Sequence, residues 1–122
     1  MEVNADIINL NSPVSNRKKD EFREYLIESI EEVLSFSEVV LNFLERNTAF
    51  KKDKILDDPM VFSRELEDLF GASASGIEKL IIEKLYDKIK RKSRMDRGKG
   101  FDTYVSEALS CFLEPLTLIA QR

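Results

Sequence analysis

The stretch Asp57–Tyr86, DDPMVFSRELEDLFGASASGIEKLIIEKLY, decides the fold, because it spells out two helices and the joint between them. Asp58 before Pro59 sets an N-cap acceptor ahead of a residue whose missing N–H costs nothing at the first helical position. Phe62, Leu66, Leu69 and Phe70 then recur at helical spacing, and Gly71 supplies the left-handed residue that commonly ends such a run, so a helix is predicted over 59–70. Ser75 and Glu78 match the S-x-x-E capping box, and Ile77, Leu80, Ile81, Leu85 and Ile89 form a second apolar stripe, which predicts a helix over 76–91. This pair is expected to be the structural centre, with Leu80 and Ile81 both in the core.

Toward the N-terminus, Phe22, Leu26, Ile30, Val33 and Leu34 lie on one side of a helical pattern that begins near Arg17, with Glu24, Glu28, Glu31 and Glu32 on the other. Ser35 and Glu38 repeat the capping-box spacing, so a break is expected near Ser35–Ser37, followed by a helix that carries Val40, Leu41 and Leu44 and ends near Asn47. Residues 48–57 read as a connection in which Phe50, Ile55 and Leu56 tuck under the fold while the lysines stay wet. Residues 1–16 have no clean period and read as an N-terminal arm.

Toward the C-terminus, Gly98 and Gly100 interrupt the chain before a last helix over 102–114. Phe101, Tyr104, Val105, Ala108, Leu109, Phe112 and Leu116 fall within its apolar stripe, and Pro115 ends or kinks it. No period-2 segment is strong enough for a strand, and no internal repeat or sustained heptad pattern occurs. The expected fold is all-α, a compact bundle of about five helices forming one domain over 17–122.

A chain of 122 residues with 43% hydrophobic and 34% charged residues builds one core, and no apolar run reaches the ~18 residues a membrane span needs. The opening MEVNADIINLNSP lacks a basic n-region, and the single cysteine, Cys111, forms no internal disulfide, so a cytoplasmic protein is expected. Cys111 itself reads as a buried structural thiol among apolar neighbours.

Catalytic chemistry has little to build on. There is no histidine, which removes the usual general base near neutral pH and the commonest transition-metal ligand, and one cysteine makes no thiolate zinc site. Glu24, Glu28 and Glu31 or Glu32 share a helical face, but carboxylate metal sites in helical bundles want Glu-x-x-His pairs, so a solvated acidic face is the reading. Gly71 and Gly76 have phosphate-loop spacing, yet Ile77 and Glu78 stand where Lys and Ser/Thr are required. No enzyme activity, cofactor or metal is expected.

Residues 88–100 read as a basic linker, and within its segment 88–99 Lys88, Lys90, Arg91, Lys92, Arg94, Arg97 and Lys99 face a single acid, Asp96. That local charge of +6 sits beside a remainder at −10, because the whole chain is −4. The run is a candidate surface for an anionic partner, nucleic acid or an acidic protein. No aromatic interleaves it and no reading module accompanies it, so nucleic-acid binding through it would be weak and non-specific. On the last helix, Leu113, Leu118 and Ile119 lie outside the main stripe and need cover. They are a candidate interface for a homodimer or another protein, unless Pro115 turns the tail back and buries them.

Asp58-Pro59, Phe62, Leu66, Leu69, Phe70-Gly71, the run from Ile77 to Ile81, and Leu85-Tyr86 together resemble a small archaeal family of signalling output domains, the fifth output-domain type named after Nitrosopumilus. The likeness covers about residues 17–92. It implies a helical domain in archaeal regulatory proteins, with undefined molecular activity and no catalytic residues. The expectation is therefore a non-enzymatic regulatory or interaction domain, an output or adaptor module with a protein partner. The alternative is a nucleic-acid-associated regulator that uses residues 88–99.

Overall fold

The computed structural model describes residues 13–92 and 99–113, with side chains from residue 17 onward. Five α-helices follow one another in these residues: α1 (Pro13–Val33), α2 (Ser37–Asn47), α3 (Pro59–Phe70), α4 (Ala74–Ile89) and α5 (Phe101–Leu113). Two 3-10 turns, Lys52–Lys54 and Gly71–Ser73, join them, and no strand occurs among the described residues.

Helix α1 opens on Pro13, whose fixed φ suits a first helical position, so it begins four residues before the expected start at Arg17. Its buried stripe is Phe22, Leu26, Ser29 and Ile30, continued by Leu34 just past its end. Ser29 donates its hydroxyl to the Tyr25 carbonyl one turn back (2.8 Å), so it adds no unsatisfied group to the core. The break after Val33 falls where expected, but its chemistry differs: Phe36 holds the N-cap position of α2 in the left-handed conformation (φ 59°, ψ 37°), with no capping box from Ser35. Thr48 closes α2, its hydroxyl donating to the Leu44 carbonyl (2.6 Å) and accepting from the Phe50 N–H (3.1 Å). That turn delivers Phe50 and then Ile55 into the core, with Leu56 half-buried.

Helix α3 spans the expected residues, and Gly71 ends it at φ +59°. The Asp58 N-cap works through its backbone, its carbonyl accepting from the Val61 N–H (3.1 Å). The second capping box is also not formed. Helix α4 begins at Ala74, one residue before Ser75, and the Glu78 carboxylate accepts instead from the Ser63 hydroxyl of α3 (2.6 Å). At the other end α4 stops at Ile89, two residues early, because Lys90 is left-handed (φ 61°). The Lys90 N–H donates to the Asp87 carbonyl and the Arg91 N–H to the Tyr86 carbonyl, the paired bonds of a Schellman motif with lysine in the glycine position.

Helix α4 is the hub. It packs most extensively along α1 and also touches α3 and α5, while α2 rests chiefly on α1. The centre is therefore the α1–α4 seam as much as the α3–α4 pair. Ile81, Ile82, Leu85, Tyr86 and Ile89 are buried on α4, but Leu80 is 52% exposed and is not a core residue. Of the expected stripe 77, 80, 81, 85 and 89, the seam takes 81, 85 and 89, with Ile82 in place of Leu80 and Ile77 half-buried at its margin. Leu69 and Phe70 likewise remain exposed at the end of α3. Phe62 joins the halves of the core, its ring 5.5 Å from Phe50 and 5.6 Å from Phe101. Phe112 packs against Phe22 and edge-on to Tyr25, with the Lys18 ammonium 5.0 Å from its centroid.

Candidate interaction surfaces

The basic segment is not an array of seven available cations. Lys88 projects from α4 onto the acidic face of α1, 2.6 Å from Glu32 and 3.7 Å from Glu28, and Lys84 approaches Glu32 at 3.9 Å. The hydrogen bond to Glu32 raises the Lys88 pKa, and the same bond lowers that of Glu32. The acidic face thus serves in part as the docking strip for α4. Lys99 pairs with Glu107 on α5 at 2.8 Å. Arg91 is turned back by the left-handed residue before it, so that its guanidinium donates to the Ile89 and Lys90 carbonyls. Lys90 and Lys92 are exposed and make no ion pair among the described residues. Arg94 and Arg97 lie outside the described residues.

Of the candidate interface on the last helix, Leu113 is exposed at the end of α5 (38%), whereas Leu118 and Ile119 lie outside the described residues. Cys111 is half-buried rather than buried. Sequence reasoning overlooked a larger apolar surface, on α2. There Phe36 is 81% exposed, Val39 67% and Phe43 47%, and their spacing of three and four residues puts them in one row. Leu41 and Leu44 of the same helix are buried against the domain, so the row points away from it. A groove of about 330 Å³ runs beside the row, lined by Val39, Asn42, Phe43, Arg46 and Asn47. The available signal was excess: apolar residues at 39, 40, 41, 43 and 44 cover more of an 11-residue helix than one packed face requires.

Two polar features complete the inventory. A groove of about 350 Å³ between α1 and the first 3-10 turn is lined by Arg23, Glu24, Ile27, Glu28, Lys52 and Asp53, with neither sign of charge dominant enough to select a ligand. Across α3 and α4, burial raises the Glu78 pKa, the Ser63 hydrogen bond opposes that rise, and the nearby Glu67 charge adds to it. The Ser63–Glu78 pair borders neither groove, so it reads as an interhelical bond rather than a nucleophile with its base. Among the described residues no group of three or more acidic or cysteine side chains is placed to hold a metal ion. No helix among them is long and apolar enough to cross a membrane.

The architecture is that of a small all-α bundle. No family model matches the chain, and no curated protein or solved structure matches it.

Proposed function

We propose that this chain is a non-enzymatic helical domain that works in the cytoplasm through protein–protein contact, as an output or adaptor module in archaeal signalling. The observation that carries the interaction reading is the row Phe36, Val39 and Phe43, three large apolar side chains held out on a helix whose other face is already packed. Contiguous exposed apolar surface of this kind marks interaction sites more often than it occurs idly on a monomer. The absence of histidine and the lack of any motif that organises the remaining nucleophiles support the non-enzymatic part. The likeness of residues 17–92 to the archaeal output-domain family supports the regulatory part, and the lone cysteine supports a reducing compartment.

Affinity capture from the source cell tests this reading. A partner retained by the wild type should be lost from a Phe36→Ser, Phe43→Ser double variant that keeps its helical circular dichroism. Identical capture by both proteins overturns the assignment to α2.

The nucleic-acid alternative retains one supporting observation, the +6 segment with Lys90 and Lys92 exposed. The engagement of Lys88 and Lys99 with Glu32 and Glu107 reduces the charge it can offer.

A further inference from the structure

Resting on the reading of α2 as the interaction face, we infer that its occupant is a second copy of this chain, packed antiparallel along α2. Phe36 of each copy then lies over Arg46 of the other, and Val39 lies against Phe43 of the other. A two-fold contact between antiparallel helices pairs residues equidistant from one level of the helix. Phe36 and Arg46 stand five residues either side of Leu41, and Val39 and Phe43 stand two either side. One axis at that level therefore satisfies both pairings at once. It lies on the outer face of α2, opposite the buried Leu41 side chain.

Each pairing is chemically apt. Val39 and Phe43 line the same groove, so the partner's Phe43 ring has an apolar seat beside Val39. Arg46 lines that groove too, is exposed, and makes no ion pair among the described residues; its guanidinium meets the face of an aromatic ring that is 81% exposed. The left-handed backbone at Phe36 holds that ring at the head of the helix, where an antiparallel partner presents its last turn. Charges complement as well. Glu38, in the first turn of one copy, lies within about 3 Å in axial level of Arg46 in the last turn of the other. The two Arg46 side chains stand about 15 Å apart along the axis, and the middle of the contact, Val39, Asn42 and Phe43, carries no charge. Because one helix about 16 Å long supplies the surface, the contact is smaller than the roughly 800 Å² per partner of a stable complex. The dimer is a weak one, formed at high protein concentration or where a longer protein raises the local concentration.

Sedimentation velocity from micromolar to millimolar protein tests the inference. The wild type should pass reversibly from monomer to dimer. Phe43→Glu should remain a folded monomer throughout, and Arg46→Glu should raise the dissociation constant roughly tenfold or more. In a Cys111→Ser background, Asn42→Cys, near the axis, should be joined by a short bismaleimide, whereas Asn47→Cys, far from it, should not. A wild type that stays monomeric at millimolar concentration overturns the inference, as does a dimer unaffected by Phe43→Glu, or equal cross-linking at 42 and 47. If the wild type is monomeric while Phe43→Glu still abolishes capture of another protein, the α2 interaction reading survives and self-pairing alone fails.

Discussion

Leu80 and Ile81 are neighbours in sequence, and α4 sends one to solvent and the other into the seam with α1. Replacing Ile81 by Ala removes buried volume and should destabilise by about 2–5 kcal/mol, whereas Leu80→Ala should stay within about 0.5 kcal/mol of wild type. Urea midpoints measured side by side check the contrast, and equal losses would place both residues inside. Glu78 makes a second prediction at this scale. Burial raises its pKa, so the native state holds the proton more tightly than the unfolded chain does. The stability this contributes is full below the ordinary carboxylate pKa and is lost as pH rises through the raised value. Glu78→Gln removes that titration while its amide oxygen still accepts from Ser63. The variant should therefore gain on wild type from acid to neutral pH in paired melting curves. Glu32, whose pKa is lowered chiefly by its bond to Lys88, has the opposite sign: its contribution is present above the ordinary pKa and lost as pH falls. The difference between variant and wild type, rather than the wild-type profile alone, isolates Glu78.

At the scale of elements, glycine separates backbone geometry from packing. A Cβ added at Gly71 or at Gly76 would meet nothing within 4 Å, so neither substitution is decided by a clash. Gly71 ends α3 at φ +59°, ψ −133°, a conformation that L side chains rarely adopt, and Gly71→Ala should cost about 1–3 kcal/mol. Gly76 lies inside the first turn of α4, where Ala is the better helix former, and Gly76→Ala should add about 0.5–1 kcal/mol. Calorimetric melting temperatures moving in opposite directions would confirm the pair. The helix ends themselves differed in legibility. Gly71 announced the end of α3, but Lys90 carries no such mark, since its left-handed conformation is set by the Schellman bonds around it. The Ser-Pro step at 12–13 repeats the Asp-Pro signal at 58–59 and would have placed the start of α1 at Pro13.

Across the whole molecule, charge is spent internally before it is offered to a partner. The acidic face of α1 and the lysines of α4 meet along the main seam, and Lys99 is tied to α5. We expect nucleic-acid binding by residues 88–99 to be weak and indifferent to sequence, with affinity falling steeply as salt is added, because added salt diminishes the entropy gained when the bound cations release counterions from the phosphates. Fluorescence anisotropy with two unrelated duplexes across a salt series checks this; binding that survives high salt and prefers one duplex would make nucleic acid the leading partner.

Local interactions are written in the sequence, and they settled the helical class, the α3 boundaries, the break at 35–37 and the burial of Phe22, Leu26, Phe50, Phe62 and Phe101. Apolar residues three and four apart share a helix face whatever else the chain does, and Pro59 and Gly71 act on their own backbone. Which apolar face is covered depends instead on what arrives from far along the chain. The surplus reasoning applied to Leu113, Leu118 and Ile119 held equally for α2, yet periodicity there could not rank Val40, Leu41 and Leu44 against Phe36, Val39 and Phe43. Only the packing of α2 on α1 decided that the first set turned inward and the second was left as a surface.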